Sequence, residues 1–81
     1  MQVRVRLFAR LRELAGAGEL RREVPAGATV AALWEALSNE FPGLRPHSAS
    51  VSVAVNQEFA RRTTELAEGD EVAFLPPVSG G

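Results

Sequence analysis

One stretch of this sequence has the spacing of a long helix, and no second helix of similar length is there to cover it. Val30, Leu33, Trp34, Leu37 and Phe41 recur with a 3.6-residue period, leaving Glu35, Ser38, Asn39 and Glu40 for solvent. Thr29 is placed as the N-cap, without a capping box because position 32 is alanine, and Pro42-Gly43 ends the run. Burying such side chains is worth ~1.5–3 kcal/mol each. The remaining chain must therefore supply an apolar surface for this face, and it reads as β.

Residues 2 to 8 alternate, with Val3, Val5 and Leu7 on one side and Arg4 and Arg6 on the other. Phe8 breaks the alternation by falling on the arginine side. Ala9 to Ala15 places Leu11 and Leu14 three apart before Gly16 and Gly18, the pattern of a helical turn closed by glycine. Leu20, Arg22 and Val24 against Arg21 and Glu23 give a second strand, ended by Pro25-Ala26-Gly27. Residues 44 to 50 read as a polar, proline-containing loop. Val51, Val53 and Val55 form a third strand, Asn56-Gln57 a turn in which asparagine tolerates positive φ, and Glu71 to Leu75 a last strand after the Glu68-Gly69-Asp70 turn. The fold class is α+β: one sheet packed on one main helix, with a helical crossover that lets the first and last strands lie parallel.

Two domains' worth of chain is absent: 81 residues make one small core. With 46% apolar residues the chain is expected to fold rather than remain disordered. No apolar run reaches the ~20 residues of a membrane helix, and no secretory leader pattern opens the chain, so an intracellular, cytoplasmic protein is expected. Without cysteine there is no disulfide, thiolate metal site or cysteine nucleophile, and the single His47, between Pro46 and Ser48, reads as a loop residue rather than a metal ligand. A net charge of −1 gives no broad nucleic-acid footprint.

After Leu75 the sequence reads Pro76-Pro77-Val78-Ser79-Gly80-Gly81. Two prolines have no backbone donor and hold the residues before them extended, so the segment is expected to leave the sheet as an arm, dividing the chain into a domain at 1–75 and an arm at 76–81. Extended, six residues reach on the order of 20 Å. Gly80 and Gly81 can thread a channel too narrow for a Cβ, and the group they deliver is the carboxylate of Gly81.

Phe8-Ala9-Arg10-Leu11-Arg12-Glu13-Leu14-Ala15-Gly16, Val53-Ala54-Val55-Asn56-Gln57 and the run from Glu68 to Gly81 resemble the small, sulfur-carrying subunits of molybdopterin synthase, over the whole chain and most specifically at its end. The resemblance implies a ubiquitin-like β-grasp fold. It implies that the Gly81 carboxylate is adenylated with ATP by a ubiquitin-activating-like adenylyltransferase, converted to a thiocarboxylate by a sulfur donor enzyme, and inserted into the large synthase subunit. There it gives sulfur to a cyclic pyranopterin precursor, and the chain itself is not a catalyst. The residues agree. An α-carboxylate, with a pKa of about 3.5, is ionised at neutral pH and a poor electrophile. The chain has no phosphate loop or dinucleotide fingerprint of its own, so no cofactor is expected on it and ATP belongs to the activating partner.

Phe8, Phe59 and Leu75 stand outside the core pattern, and the resemblance implies that they contact partners together with Pro76, Pro77, Val78 and Ser79. The alternative is that a curled sheet buries one or more of the three. Glu68, Asp70 and Glu71 either steer a basic partner or solvate a turn, and Arg61-Arg62 receives no role. Competing readings are a thiazole-pathway sulfur carrier, disfavoured by Pro76 to Ser79 and by the Phe8 to Gly16 segment; a protein modifier joined through Gly81; and a plain interaction module. The complete absence of lysine excludes lysine-linked chains of this protein with itself.

Overall fold

Alternation places the first strand, β1 (Gln2–Leu7), with Val3, Val5 and Leu7 buried, and the chain then bends into a short helix, α1 (Ala9–Ala15), in the computed structural model, which describes residues 1–77. Gly16, at φ +76°, closes α1 by donating its N–H to the Arg12 carbonyl at 2.9 Å. Strand β2 (Glu19–Glu23) returns antiparallel to β1, and the main helix α2 (Val30–Glu40) crosses over. Strand β3 (Ser52–Val55), the two-residue β4 (Glu58–Phe59) and β5 (Glu71–Leu75) complete a mixed sheet in the order β2-β1-β5-β3-β4. β1 and β5 run parallel in its centre, as the crossover permits.

The sheet's inner face and α2 share one core. Val5, Val72, Phe74, Val30, Leu33 and Leu37 are at most 1% exposed, and the rings of Trp34 and Phe74 meet 5.0 Å apart at 52°. Trp34 is core, and its Nε1–H donates to Ser48 Oγ at 2.8 Å. Thr29 caps α2 through Oγ1, which accepts from the Ala32 N–H at 3.2 Å. The Val30 and Ala31 N–H groups donate to the Thr64 and Arg62 carbonyls, so the 60–66 connection satisfies the rest of the helix's first turn.

Three expectations are corrected. The segment after Pro42 is a 3-10 helix (Pro42–His47), and Leu44 within it is fully buried. Arg45 fastens this turn to α2 by donating to Glu35 and Asn39, so Leu44 closes the core below Phe41. Ser38 is buried at 1% instead of facing solvent. Finally, β4 is an additional strand, and β1 stops one residue before Phe8.

Among the described residues, Ser38 Oγ is a buried side-chain oxygen with no hydrogen-bond partner. Such a group carries a desolvation penalty with no compensating bond. Ser38→Ala is expected to raise stability by about 1 kcal/mol, a gain of about 4–8 °C in Tm for a domain of this size. Thermal unfolding followed by circular dichroism measures it, and a fall in Tm would show that the hydroxyl is satisfied.

Candidate functional site

The two central strands stop at the same end. Their register ends at the Leu7–Phe74 pair: Phe8 is the first residue beyond β1, and Leu75 is the last residue of β5. Leu75 is half-buried and faces Ser52 on its other flank. Pro76, half-buried, and Pro77, exposed, follow; without a backbone N–H neither can extend the ladder. The root of the C-terminal segment is therefore fixed between two paired strands. Val78, Ser79, Gly80 and Gly81 lie outside the described residues.

Phe8 is held at this root. The Arg6 guanidinium lies 5.0 Å from its ring centroid, a cation–π contact. Ala9 takes a left-handed φ of +50°, a conformation that costs an alanine roughly 1–2 kcal/mol, and turns the chain into α1. The Phe8 carbonyl accepts from the Leu11 N–H at 3.1 Å.

Phe59 arrives by another route. Asn56 and Gln57, at φ +51° and +71°, make the two-residue hairpin turn whose twist suits antiparallel strands. The Asn56 side chain donates to Asp70 Oδ1 at 2.9 Å and accepts from the Glu71 N–H at 3.0 Å, tying the hairpin to the start of β5. β4 then presents Phe59 at 84% exposure, paired with Ala54. Ala54 pairs with Ala73 of β5, and Ala73 with Arg6 of β1. The row Phe59–Ala54–Ala73 thus crosses the outer face of the sheet toward the exit of the C-terminal segment. At the usual strand spacing it covers roughly 10 Å.

None of Phe8, Phe59 and Leu75 joins the core. Phe8 and Leu75 are adjacent, whereas Phe59 stands two strands away and is connected to them by Ala54 and Ala73. Those two alanines were missed in the sequence; their signal is a small apolar residue at an outward position of alternating strands. The acidic residues are engaged within the domain. Asp70 Oδ2 accepts from the Ala67 N–H, Glu68 from the Gln2 N–H, and Glu71 lies 3.7 Å from Arg4. Arg62 caps the Ser48 and Val51 carbonyls, while Arg61 is exposed. Among the described residues no three His, Cys, Asp or Glu side chains converge as a metal site, and no helix is long and apolar enough to cross a membrane.

A five-stranded mixed sheet over one main helix, with the C-terminal segment leaving a central strand, defines a ubiquitin-like β-grasp domain. The chain belongs to the ThiS family, whose profile matches residues 5–81. It is similar to the molybdopterin synthase sulfur carrier subunit of Arabidopsis thaliana, 36% identical over 81 residues that cover 100% of this chain and 84% of that protein. Among solved structures it is similar to small archaeal modifier protein 1 of Haloferax volcanii, 35% identical with a TM-score of 0.86 and full coverage of both chains. It also resembles a chain in the complex of subunits 1 and 2 of the molybdopterin-converting factor of Helicobacter pylori, 27% identical with a TM-score of 0.71, again with both chains fully covered.

Phe59 is the most exposed element of this face and makes no contribution to the core. Phe59→Asp is expected to weaken binding to a protein partner at least ~10-fold, the loss of about 1.4 kcal/mol or more that marks an interface anchor. Tm should stay within the small range of surface substitutions. Calorimetric titration beside thermal unfolding checks both, and a large loss of Tm would assign Phe59 a folding role instead.

Proposed function

We propose that this chain is the sulfur-carrier small subunit of a molybdopterin synthase, and that its working group is the carboxylate of Gly81. The observation that carries the reading is the fixed root of the C-terminal segment: parallel strands β1 and β5 end together at the Leu7–Phe74 pair, beside a row that runs from buried Ala73 through half-buried Ala54 to the exposed Phe59. The similarity to sulfur carrier subunits over the whole chain supports it, as does a family match that extends to residue 81.

In this reading a carboxylate oxygen of Gly81 attacks the α-phosphorus of ATP held by an activating adenylyltransferase, releasing pyrophosphate. Sulfide-level sulfur (HS⁻) delivered by a donor enzyme then attacks the acyl carbon of the adenylate and displaces AMP, leaving the thiocarboxylate. The large synthase subunit receives the loaded end and transfers its sulfur to a cyclic pyranopterin precursor. The chain supplies a handle, an arm (76–81) and a carrier atom, binds no cofactor itself and works in the cytoplasm. Catalysis resides in the partners.

The similarity to a small archaeal modifier protein favours one other reading, attachment of Gly81 to foreign amines. Mass spectrometry of the full chain after incubation with ATP, an activating enzyme and a sulfur donor separates the two. Replacement of one terminal oxygen by sulfur is the result expected here; adducts on foreign lysines in place of it would support a modifier. Deleting Gly81 is expected to abolish sulfur transfer and molybdopterin formation while Tm remains unchanged. Molybdopterin formed by the truncated chain would refute the carrier role.

A further inference from the structure

The outer face of the sheet has a second half, on β1 and β2, that is basic. Arg4 stands directly opposite Arg21 across this antiparallel pair, an arrangement of like charges that destabilises a sheet. Glu71, 3.7 Å from Arg4, relieves only one of the two. Arg6 is paired in register with Glu19 but makes no ion pair with it; its guanidinium rests on Phe8. Arg12 of α1 lies against Gly18, where an added Cβ would come within 3.1 Å of Arg12 Nε, so the glycine makes room for the guanidinium. Arg6, Phe8, Arg12, Gly18 and Glu19 wall an open cleft of about 370 Å³.

Among the described residues, Arg6, Arg12 and Arg21 have no acidic side chain within ion-pairing distance. The cluster is thus positive on a chain whose net charge is −1. Nothing in the free domain accounts for this clustering, since the Arg4 and Arg21 pair opposes folding. One of the guanidiniums, that of Arg6, is nevertheless seated on an aromatic ring, and Gly18 leaves room for that of Arg12. The basic half also adjoins the apolar row at Ala73 and Arg6.

We propose that this arginine half-face is an electrostatic contact for an acidic surface on the large synthase subunit, seated beside the apolar contact made through Phe59. The inference rests on the carrier reading above. A protein surface fits better than nucleic acid because Glu19 and Glu71 interrupt the basic cluster and because it continues into an apolar row. Charges at the edge of an apolar contact act chiefly on the association rate and its salt dependence.

The test is stopped-flow association of the full chain with the purified large subunit from about 0.01 M to about 0.15 M ionic strength, over which the Debye length falls from ~30 Å to ~8 Å. Arg21→Glu and Arg12→Glu are each expected to slow association about 10-fold at low salt and to flatten its salt dependence. Arg21→Ala should slow it less while leaving Tm unchanged or raised, because the like-charge pair is gone. Ala36→Glu changes net charge as much as Arg21→Ala does, but at an exposed position of α2, and is expected to leave the rate near that of the unsubstituted chain. Wild-type rates and salt dependence in both Arg21→Glu and Arg12→Glu, or a loss in Ala36→Glu equal to that in Arg21→Ala, overturn the proposal. So does tighter binding to a DNA duplex than to the large subunit. A chain that is thiocarboxylated and binds the large subunit while ignoring these arginines refutes the basic contact and leaves the carrier reading standing. A chain that never binds the large subunit refutes both.

Discussion

The parallel pairing of β1 with β5 is the constraint on which the rest of this structure depends. Parallel neighbours cannot be joined by a tight turn, so everything between Leu7 and Glu71 must form a crossover that carries the chain from the end where β1 finishes back to the end where it began. That crossover contains α2, and the inner faces of the two strands, Val3, Val5, Leu7, Val72 and Phe74, become the floor on which the helix lies. β5 is paired on both sides as far as Phe74, between Leu7 of β1 and Val53 of β3, and its last residue, Leu75, is still paired with Ser52 of β3. The strand that leads into the C-terminal segment is thus among the best anchored parts of the sheet.

How much of this was legible follows from which signals are local. Alternation identified the inner residues of β1, β3 and β5, Thr29 marked the start of α2, and Asn56 marked a turn because its side chain tolerates positive φ. Gln57 shares that conformation without a residue type that announces it. Ser38 was misplaced for a physical reason. It sits about 40° around the helix from Trp34 and next to Leu37, both buried, so position decided its burial and polarity did not. Leu44 was hidden for the complementary reason. It is an apolar residue alone among prolines and polar residues, in a run too short for periodicity to show, and the bonds that hold that run on α2, from Arg45 to Glu35 and Asn39 and from Trp34 to Ser48, join separate elements.

The outer face was harder to read, because its composition is set across strands. Phe8, Phe59 and Leu75 were visible as misfits, but Ala54 and Ala73, which join them, are ordinary residues until the register places them in one row. The same holds for the arginines. Arg4 and Arg21 are 17 positions apart in the sequence, and only the β1–β2 register makes them neighbours. A sheet needs one buried face, so the inner residues answer to the core; the outer residues are free to answer to something else. An exposed phenylalanine and two arginines set opposite one another are both unfavourable in an isolated domain, and both lie on that face.

The carrier role proposed for this chain gives such a face a quantitative purpose. The six residues from Pro76 to Gly81 can span at most about 20 Å, and two glycines offer little surface with which to bind anything. Their entry into a partner's cleft as a separate peptide would be weak. Once the outer face is docked, the same entry becomes intramolecular, at an effective concentration in the millimolar range for a short flexible connection of matching length. That gain depends on the direction in which the chain leaves the domain. Pairing Leu7 with Phe74, packing Arg6 on Phe8 and ending the ladder at Pro76 fix that direction where the segment begins. Affinity can therefore reside in the rigid face, and the segment that meets the chemistry needs only reach and a carboxylate.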